Sequence, residues 1–270
     1  MSSVKYLIIL LATTILFISC NNRSTATDST STDSLAVENQ MRNAIATYPD
    51  SIPLKEKLIQ FYRENGEYHI AISYTDNAIK NDSNNAKLWK IKGTLHFENE
   101  DTANAISSFE KAVDILPGPE YITNLGTLYA ETKNARALEM VSLLLRFKKE
   151  SLVRDALFVK GLYYNYTGDK TKAISNMDSC LALDYTYTLA YREKTIALYD
   201  LGKYDAALSV IDKALTVQNN FDEGYYWRGR CLEKLNRNDE AIEAYQTASL
   251  YSPDYVEAKE ALERLGVKDN

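Results

Sequence analysis

Two histidines, three cysteines and a surplus of carboxylates are the groups of this chain that could do chemistry. His69 and His96 stand far apart, with no thiol or carboxylate near either at metal-ligand spacing, so no metal centre is expected. His69 reads as a polar turn residue and His96 as a packed ring. The glycines form no phosphate-cradling loop and the serines lack a nucleophile-elbow context. Acidic pairs such as Asp239-Glu240 suit helix N-termini, where the backbone dipole favours negative charge. No catalytic residue, no metal and no cofactor is expected, and the chain does not read as an enzyme. Net charge, −6 over the whole chain, argues against nucleic acid as partner, because that binding runs on basic surface.

Cys20 invites a different chemistry. Met1–Lys5 is a short positive stretch, and Tyr6–Ser19 is an almost unbroken apolar run. That run is short for a span, which needs about 20 apolar residues. It suits a secretory signal peptide over residues 1–19. Leu16-Phe17-Ile18-Ser19-Cys20 resembles a bacterial lipobox, with Phe17 where leucine is commoner. The resemblance implies a diacylglyceryl thioether on Cys20, cleavage before it and an acylated new amino terminus. Two or more acyl chains anchor stably, whereas one holds marginally. Residues 20–34, rich in Ser, Thr, Asn and Asp, have little to bury and read as a flexible tether. Fully extended it reaches on the order of 45 Å from the bilayer. Asn21, where the envelope-sorting rule would need aspartate for the inner membrane, favours the outer membrane. Without Lys5 the mature chain carries 30 basic against 37 acidic residues, net −7. The expected location is the bacterial cell envelope, with a lipid anchor at Cys20.

Positioning comes from a repeat. Ala71, Ala105, Ala173, Ala207 and Ala241 recur at multiples of 34 residues, and Ala78, Ala112, Ala214 and Ala248 keep the same beat. Trp89, Gly93, Ala105, Phe109, Ala112 and Pro117 reproduce at fixed offsets the pattern of the tetratricopeptide-repeat family. The chain resembles that family over residues 35–266, nearly everything after the tether. The resemblance implies an all-α fold: a right-handed α-solenoid of antiparallel helix pairs, the tetratricopeptide superhelix. Small residues let paired helices approach, larger apolar ones fill the gaps, and Gly66, Gly168 and Gly202 supply left-handed turns. Pro49, Pro117 and Pro253 close second helices.

In phase, an extra helix at 35–51 precedes six repeats over 52–255, and a capping helix occupies 256–266, fourteen helices in all. Cys180 takes an alanine place; Cys180 and Cys231 fall two repeats apart, beyond disulfide reach, and read as apolar fillers. The third repeat breaks the beat: Gly126 comes one residue early, Glu139 replaces an alanine, and Ala137–Leu145 is unusually apolar. It reads as a degenerate repeat with compensating loops, or as a bend or leucine ridge used for dimerisation.

With no catalytic site, function must lie on a surface. In the family, the inner wall is lined by the second, fifth, ninth and twelfth to thirteenth residues of each first helix. Carried onto the first three repeats, this gives Glu56, Gln60, Arg63, Lys87, Lys90, Thr94, Thr123 and Thr127, a polar wall. The last three give Phe158, Leu162, Asn165, Tyr166, Leu189, Arg192, Ile196, Tyr199, Tyr226 and Arg230, apolar and aromatic with two arginines. Tyrosine and arginine are enriched in binding hot spots, so this second set is the expected partner-binding groove. Self-packing of the wall is the competing reading. The Lys-and-Asn clamp for acidic chaperone tails is absent, since its lysine place holds Glu56, Lys90, Thr123, Phe158, Arg192 and Tyr226. The resemblance implies a membrane-anchored scaffold that docks a protein or peptide segment and supports assembly of an envelope complex. An alternative is a ligand-capture lipoprotein whose tyrosines stack on glycan or peptide.

Overall fold

The computed structural model describes residues 29–49 and 51–267, with side chains from residue 35 onward. The expected signal peptide at 1–19, Cys20 and the tether as far as residue 28 lie outside the described residues. The described residues form fourteen helices and no strand: α1 (Ser29–Thr47), α2 (Ile52–Glu64), α3 (Tyr68–Asn81), α4 (Ala86–Glu98), α5 (Thr102–Ile115), α6 (Pro119–Glu131), α7 (Ala137–Leu145), α8 (Glu150–Thr167), α9 (Lys170–Leu183), α10 (Thr188–Asp200), α11 (Tyr204–Val217), α12 (Asp222–Lys234), α13 (Asn238–Tyr251) and α14 (Val256–Arg264). Residues 29–34, expected as tether, are the first turns of α1. Among the described residues no helix is long and apolar enough to cross a membrane. Contacts divide the chain into two compact units, the first ending at Asn124 and the second beginning at Leu125.

Helix pairing follows from the small residues. Ala71, Ala105, Ala173, Ala207 and Ala241 are wholly buried, as are Ala78, Ala112, Ala214 and Ala248. Cys180, standing in an alanine place, is equally buried; burial pushes its thiol, and that of Cys231, up to about 12, and both are free. Opposite them, glycines on first helices receive bulky side chains from second helices. A methyl group at position 229 would lie 2.6 Å from the Tyr245 ring, and one at position 161 would lie 2.7 Å from Met177. Within the first unit the same place is held by Gly93, whose Cβ would lie 2.9 Å from Phe109. Any larger residue would force the paired helices apart.

Turn chemistry is equally regular. One or two residues past each first helix the chain turns left-handed: Gly66, Glu100, Lys133, Gly168, Gly202 and Asn236 all have positive φ. In five of these turns the next residue's N–H donates back across the turn, as Glu67 does to Tyr62 at 2.8 Å and Arg237 to Leu232 at 2.9 Å, the Schellman closure. Glycine reaches this conformation freely; Glu100, Lys133 and Asn236 reach it at a cost of about 1–2 kcal/mol each. Asp101 and Asp169 then cap α5 and α9, accepting the N–H of Asn104 and Lys172.

The third repeat explains the broken beat. Its second helix, α7, has 9 residues where α5, α9, α11 and α13 have 14, and the following first helix, α8, has 18 where α10 and α12 have 13. Phase is therefore recovered by Gly161. Ala137, wholly buried, takes the place that Glu139 cannot fill, and Met140 rather than a ring covers Gly126. Most of the apolar stretch faces inward: Met140, Val141 and Leu144 are buried, and Leu145 is the one residue of α7 among the exposed large hydrophobics. Of the leucines of α7, Leu144 is core, Leu138 and Leu143 are half-buried and Leu145 is exposed.

Within the first unit, α1 is docked by a polar knot. The Tyr62 hydroxyl donates to Glu38 at 2.6 Å, and Arg42 donates to the hydroxyls of Tyr62 and Tyr74, both at 2.6 Å. Within the second unit, Tyr191, Leu198, Ile211, Phe221, Leu232 and Tyr245 form a continuous core that runs into α14 through Ala261 and Leu262.

Candidate functional site

First helices of the second unit touch one another along one side, α8 against α10 and α10 against α12. Their contacts there are polar links between successive repeats. Asn165 on α8 donates to the Glu193 carboxylate on α10 at 3.0 Å. Arg192 on α10 lies 2.9 Å from Glu193 and bonds Glu223 on α12. Arg230 on α12 donates to the Tyr199 hydroxyl on α10 at 3.3 Å and to Tyr226 at 3.0 Å. Arg264 on α14 returns to Glu233 on α12 at 2.7 Å. Each link ties one repeat to the next at the level of the wall.

Glu131 at the end of α6 belongs to the same group. It is close enough to Glu193 and Arg192 on α10 to feel both charges, although a whole repeat intervenes. Tyr166 on α8 feels Glu131, Glu193 and Arg192 together, and its hydroxyl is raised by burial and then by the two carboxylates. Residues from three successive first helices thus converge on one place, as an inward-curving wall requires. Burial, reinforced by Glu193 and only partly relieved by Arg192, raises the Glu131 carboxyl to about 8. Arg192 itself is buried with 7% exposure. Burial opposes its charge, but Glu223 and Glu193 more than offset that, and it remains a guanidinium.

The ten residues expected as a groove are therefore not equivalent. Tyr166, Leu189, Ile196, Tyr199, Tyr226 and Arg230 are half-buried and available on the wall. Phe158 and Leu162 are core instead, with Phe158 packed edge-on against Tyr187 at 5.1 Å. Asn165 is also buried, held between Glu193 and the Lys170 ammonium. Arg192 is no open fork for a partner's carboxylate, because Glu193 and Glu223 already occupy it. Arg230 is stacked rather than ion-paired, its guanidinium 5.1 Å from the Tyr199 ring, 5.2 Å from Trp227 and 5.7 Å from Tyr226. Rings at this distance attract the guanidinium through their π faces while it can still meet a partner.

Wall positions two and twelve also hold acids that the expectation passed over: Glu131, Asp155, Glu223 and Glu233. Asp155 and Asp184 clamp Arg154, each at 2.7 Å. The offsets that placed Tyr166 and Arg192 on the wall point to these residues as well; hydrophobic and aromatic character drew attention elsewhere. The second unit's wall is thus an ion-paired aromatic surface with excess acid, not an apolar one.

Within the first unit the expected polar wall is paired across repeats too. Lys87 meets Glu56 at 2.6 Å, Arg63 meets Glu98, and Lys90 meets Glu120. Gln60 is engaged by Glu64, and the Thr94 hydroxyl returns to the carbonyl of Lys90. Of the histidines, His69 is exposed on α3, and His96 lies with Nδ1 3.2 Å from Asp101. Among the described residues no three His, Cys, Asp or Glu side chains are placed to hold a metal ion.

The family model described as tetratricopeptide repeat matches residues 57–118 and 194–255. The chain carries tetratricopeptide repeats. The matched stretches run from within α2 past the end of α5 and from within α10 past the end of α13, one in each unit, and the helix pairs of the third and fourth repeats lie between them. A crystal structure of a tetratricopeptide repeat protein from Parabacteroides merdae ATCC 43184 is similar over 88% of this chain and 94% of its own, at 17% identity and a TM-score of 0.75. PilW, a widely conserved type IV pilus biogenesis factor, is similar over 78% of this chain and 97% of its own, at 19% identity and a TM-score of 0.58. At these identities the likeness is one of fold. No curated protein matches the chain.

Proposed function

We propose that the chain is a non-catalytic, membrane-anchored interaction scaffold that holds a peptide or protein segment against the first-helix wall of its second unit. One observation carries the reading: Tyr166, Tyr199, Tyr226 and Arg230 stay half-buried on a wall where Asn165, Arg192, Glu193 and Glu223 are spent on links between repeats. Large rings with a polar tip, held by their neighbours, offer contact area at little entropic cost. The surrounding ion pairs fix the spacing of the first helices, so the surface is preorganised. Tetratricopeptide repeats are a helix-pair scaffold with no chemistry of their own, and this wall suits recognition.

Anchoring at Cys20 and a place in the outer membrane, in support of an envelope complex, belong to the same proposal. They rest on the apolar run before Cys20 and the Ser19-Cys20 junction. Two variants test the halves separately. Cys20→Ser is expected to leave the membrane fraction or to stay uncleaved; normal retention at mature size would remove the anchor. Tyr199→Ser with Tyr226→Ser is expected to reduce partner capture from solubilised envelopes at least about tenfold, with the helical spectrum unchanged. Undiminished capture would remove the groove.

A further inference from the structure

We propose that Glu131, with Glu193 beside it, forms a receptor for one basic side chain, lysine or arginine, of the segment held on the second unit's wall. This rests on the scaffold reading above and names what the segment must present. Glu131 lies close enough to Glu193 and Arg192 to feel both charges, and Arg192 itself is bonded to Glu193 and Glu223. Its Nε and Nη2 both donate to Glu193 Oε1, and its Nη1 donates to Glu223 Oε2, so the guanidinium is committed to those two carboxylates. Asn165 Nδ2 is spent on Glu193, and Lys170 on Asn165 Oδ1 and Asp200.

Glu131 is left over. Its Oε2 atom is sealed from solvent and has no hydrogen-bond partner, although the residue as a whole is only half-buried and reachable from the wall. Buried carboxylate oxygens are rarely left unpaired, because an unmade bond costs the full desolvation of the group. A donor from outside the chain would settle it, and a positive one would also relieve the repulsion between Glu131 and Glu193. Tyr166, half-buried on the same wall and near enough to feel both carboxylates, is an apolar surface for the aliphatic stem of a lysine or arginine. Ionised acidic side chains supply neither the donor nor the charge, and neutral donors supply no charge. Until a cation arrives, Glu131 at neutral pH keeps a proton, facing Glu193 and Arg192 from α10 and Tyr166 from α8. Entry of the basic side chain therefore expels that proton to solvent.

The test uses the purified full-length chain and a phage-displayed library of random nonapeptides. Retained sequences should be enriched in lysine or arginine at one register position by about tenfold or more. Acetylating that lysine in a retained peptide should abolish its binding to the wild-type chain. Glu131→Gln, shown folded by its helical spectrum, should retain peptides without the basic preference. Titration calorimetry in two buffers at pH 7 should show release of about one proton with the wild type and none with Glu131→Gln. Retained peptides that lack basic enrichment would overturn this inference and leave the scaffold reading standing. Retention of no peptide at all would overturn both.

Discussion

Arg192→Ala is expected to lower the stability of the second unit by about 3–5 kcal/mol, because it strands two buried carboxylates. Glu193 and Glu223 are both buried, and both face Arg192. Without the guanidinium, their desolvation is no longer compensated, and the two carboxylates repel each other unscreened. Urea titration followed by Trp227 fluorescence in a Trp89→Phe background reads the second unit alone, since Trp89 lies in the first. Arg192→Lys should recover only part of the loss, since one ammonium cannot span both carboxylates in the guanidinium's geometry. Arg192→Met combined with Glu193→Leu and Glu223→Leu should recover most of it, since replacing a whole buried network is far cheaper than breaking it. A loss below about 1 kcal/mol for Arg192→Ala would mean that water reaches the network and the wall is not preorganised.

The second large effect has the opposite sign. Glu131→Gln is expected to stabilise the chain at neutral and alkaline pH. In the folded chain Glu131 holds its proton up to about 8, against an ordinary value of 4.5. Between those limits the folded state binds a proton that the unfolded state releases. The wild-type contribution is therefore fully present below 4.5 and is lost as pH rises to about 8. Glutamine needs no proton to stay neutral. The stability difference between variant and wild type should grow by at most about 1.4 kcal/mol per pH unit across this window, reaching roughly 2–4 kcal/mol at pH 9. A difference that stays flat from pH 5 to pH 9 would place Glu131 in water. The comparison isolates Glu131, because Glu193, Arg192 and Tyr166 are present in both chains.

A stabilising substitution at a wall position has a physical meaning. Sites that bind often carry groups poorly satisfied in the free protein, so that the ligand completes them. Glu131 is such a group on the acidic side of the wall, and the stacked Arg230 with Tyr199 and Tyr226 is its aromatic counterpart.

The helix array was legible because its causes are local and periodic. Alanine every 34 residues, glycine facing a ring and a left-handed turn after each first helix are conditions that single residues meet or fail. Even the fault was visible at Glu139. Its cause was not, because a short α7 offset by a long α8 leaves Gly161 in phase and can be seen only in the helix ends. The wall was half legible. Offsets along the first helices find Tyr166, Arg192, Tyr199 and Tyr226, but they say nothing of what each side chain meets. Arg192 looked like a fork for a partner until Glu223, 31 residues on, was seen to occupy it. Phe158 and Leu162 looked like lining until Tyr187 closed over Phe158. Such pairings join residues a repeat apart, at a distance set by the packing of whole helices, and no local pattern carries them.

Crosslinking from defined positions tests the central claim most directly. A photoreactive benzoylphenylalanine is placed at Tyr199 on the second unit's wall, and separately at Leu250, which is 76% exposed on the second helix α13. Both chains are expressed in envelopes and irradiated. A discrete protein adduct from position 199, absent when Glu131→Gln and Tyr226→Ser are added and absent from position 250, is the predicted result. Adducts from position 250 with none from position 199 would contradict it, and would move the binding surface off the wall altogether.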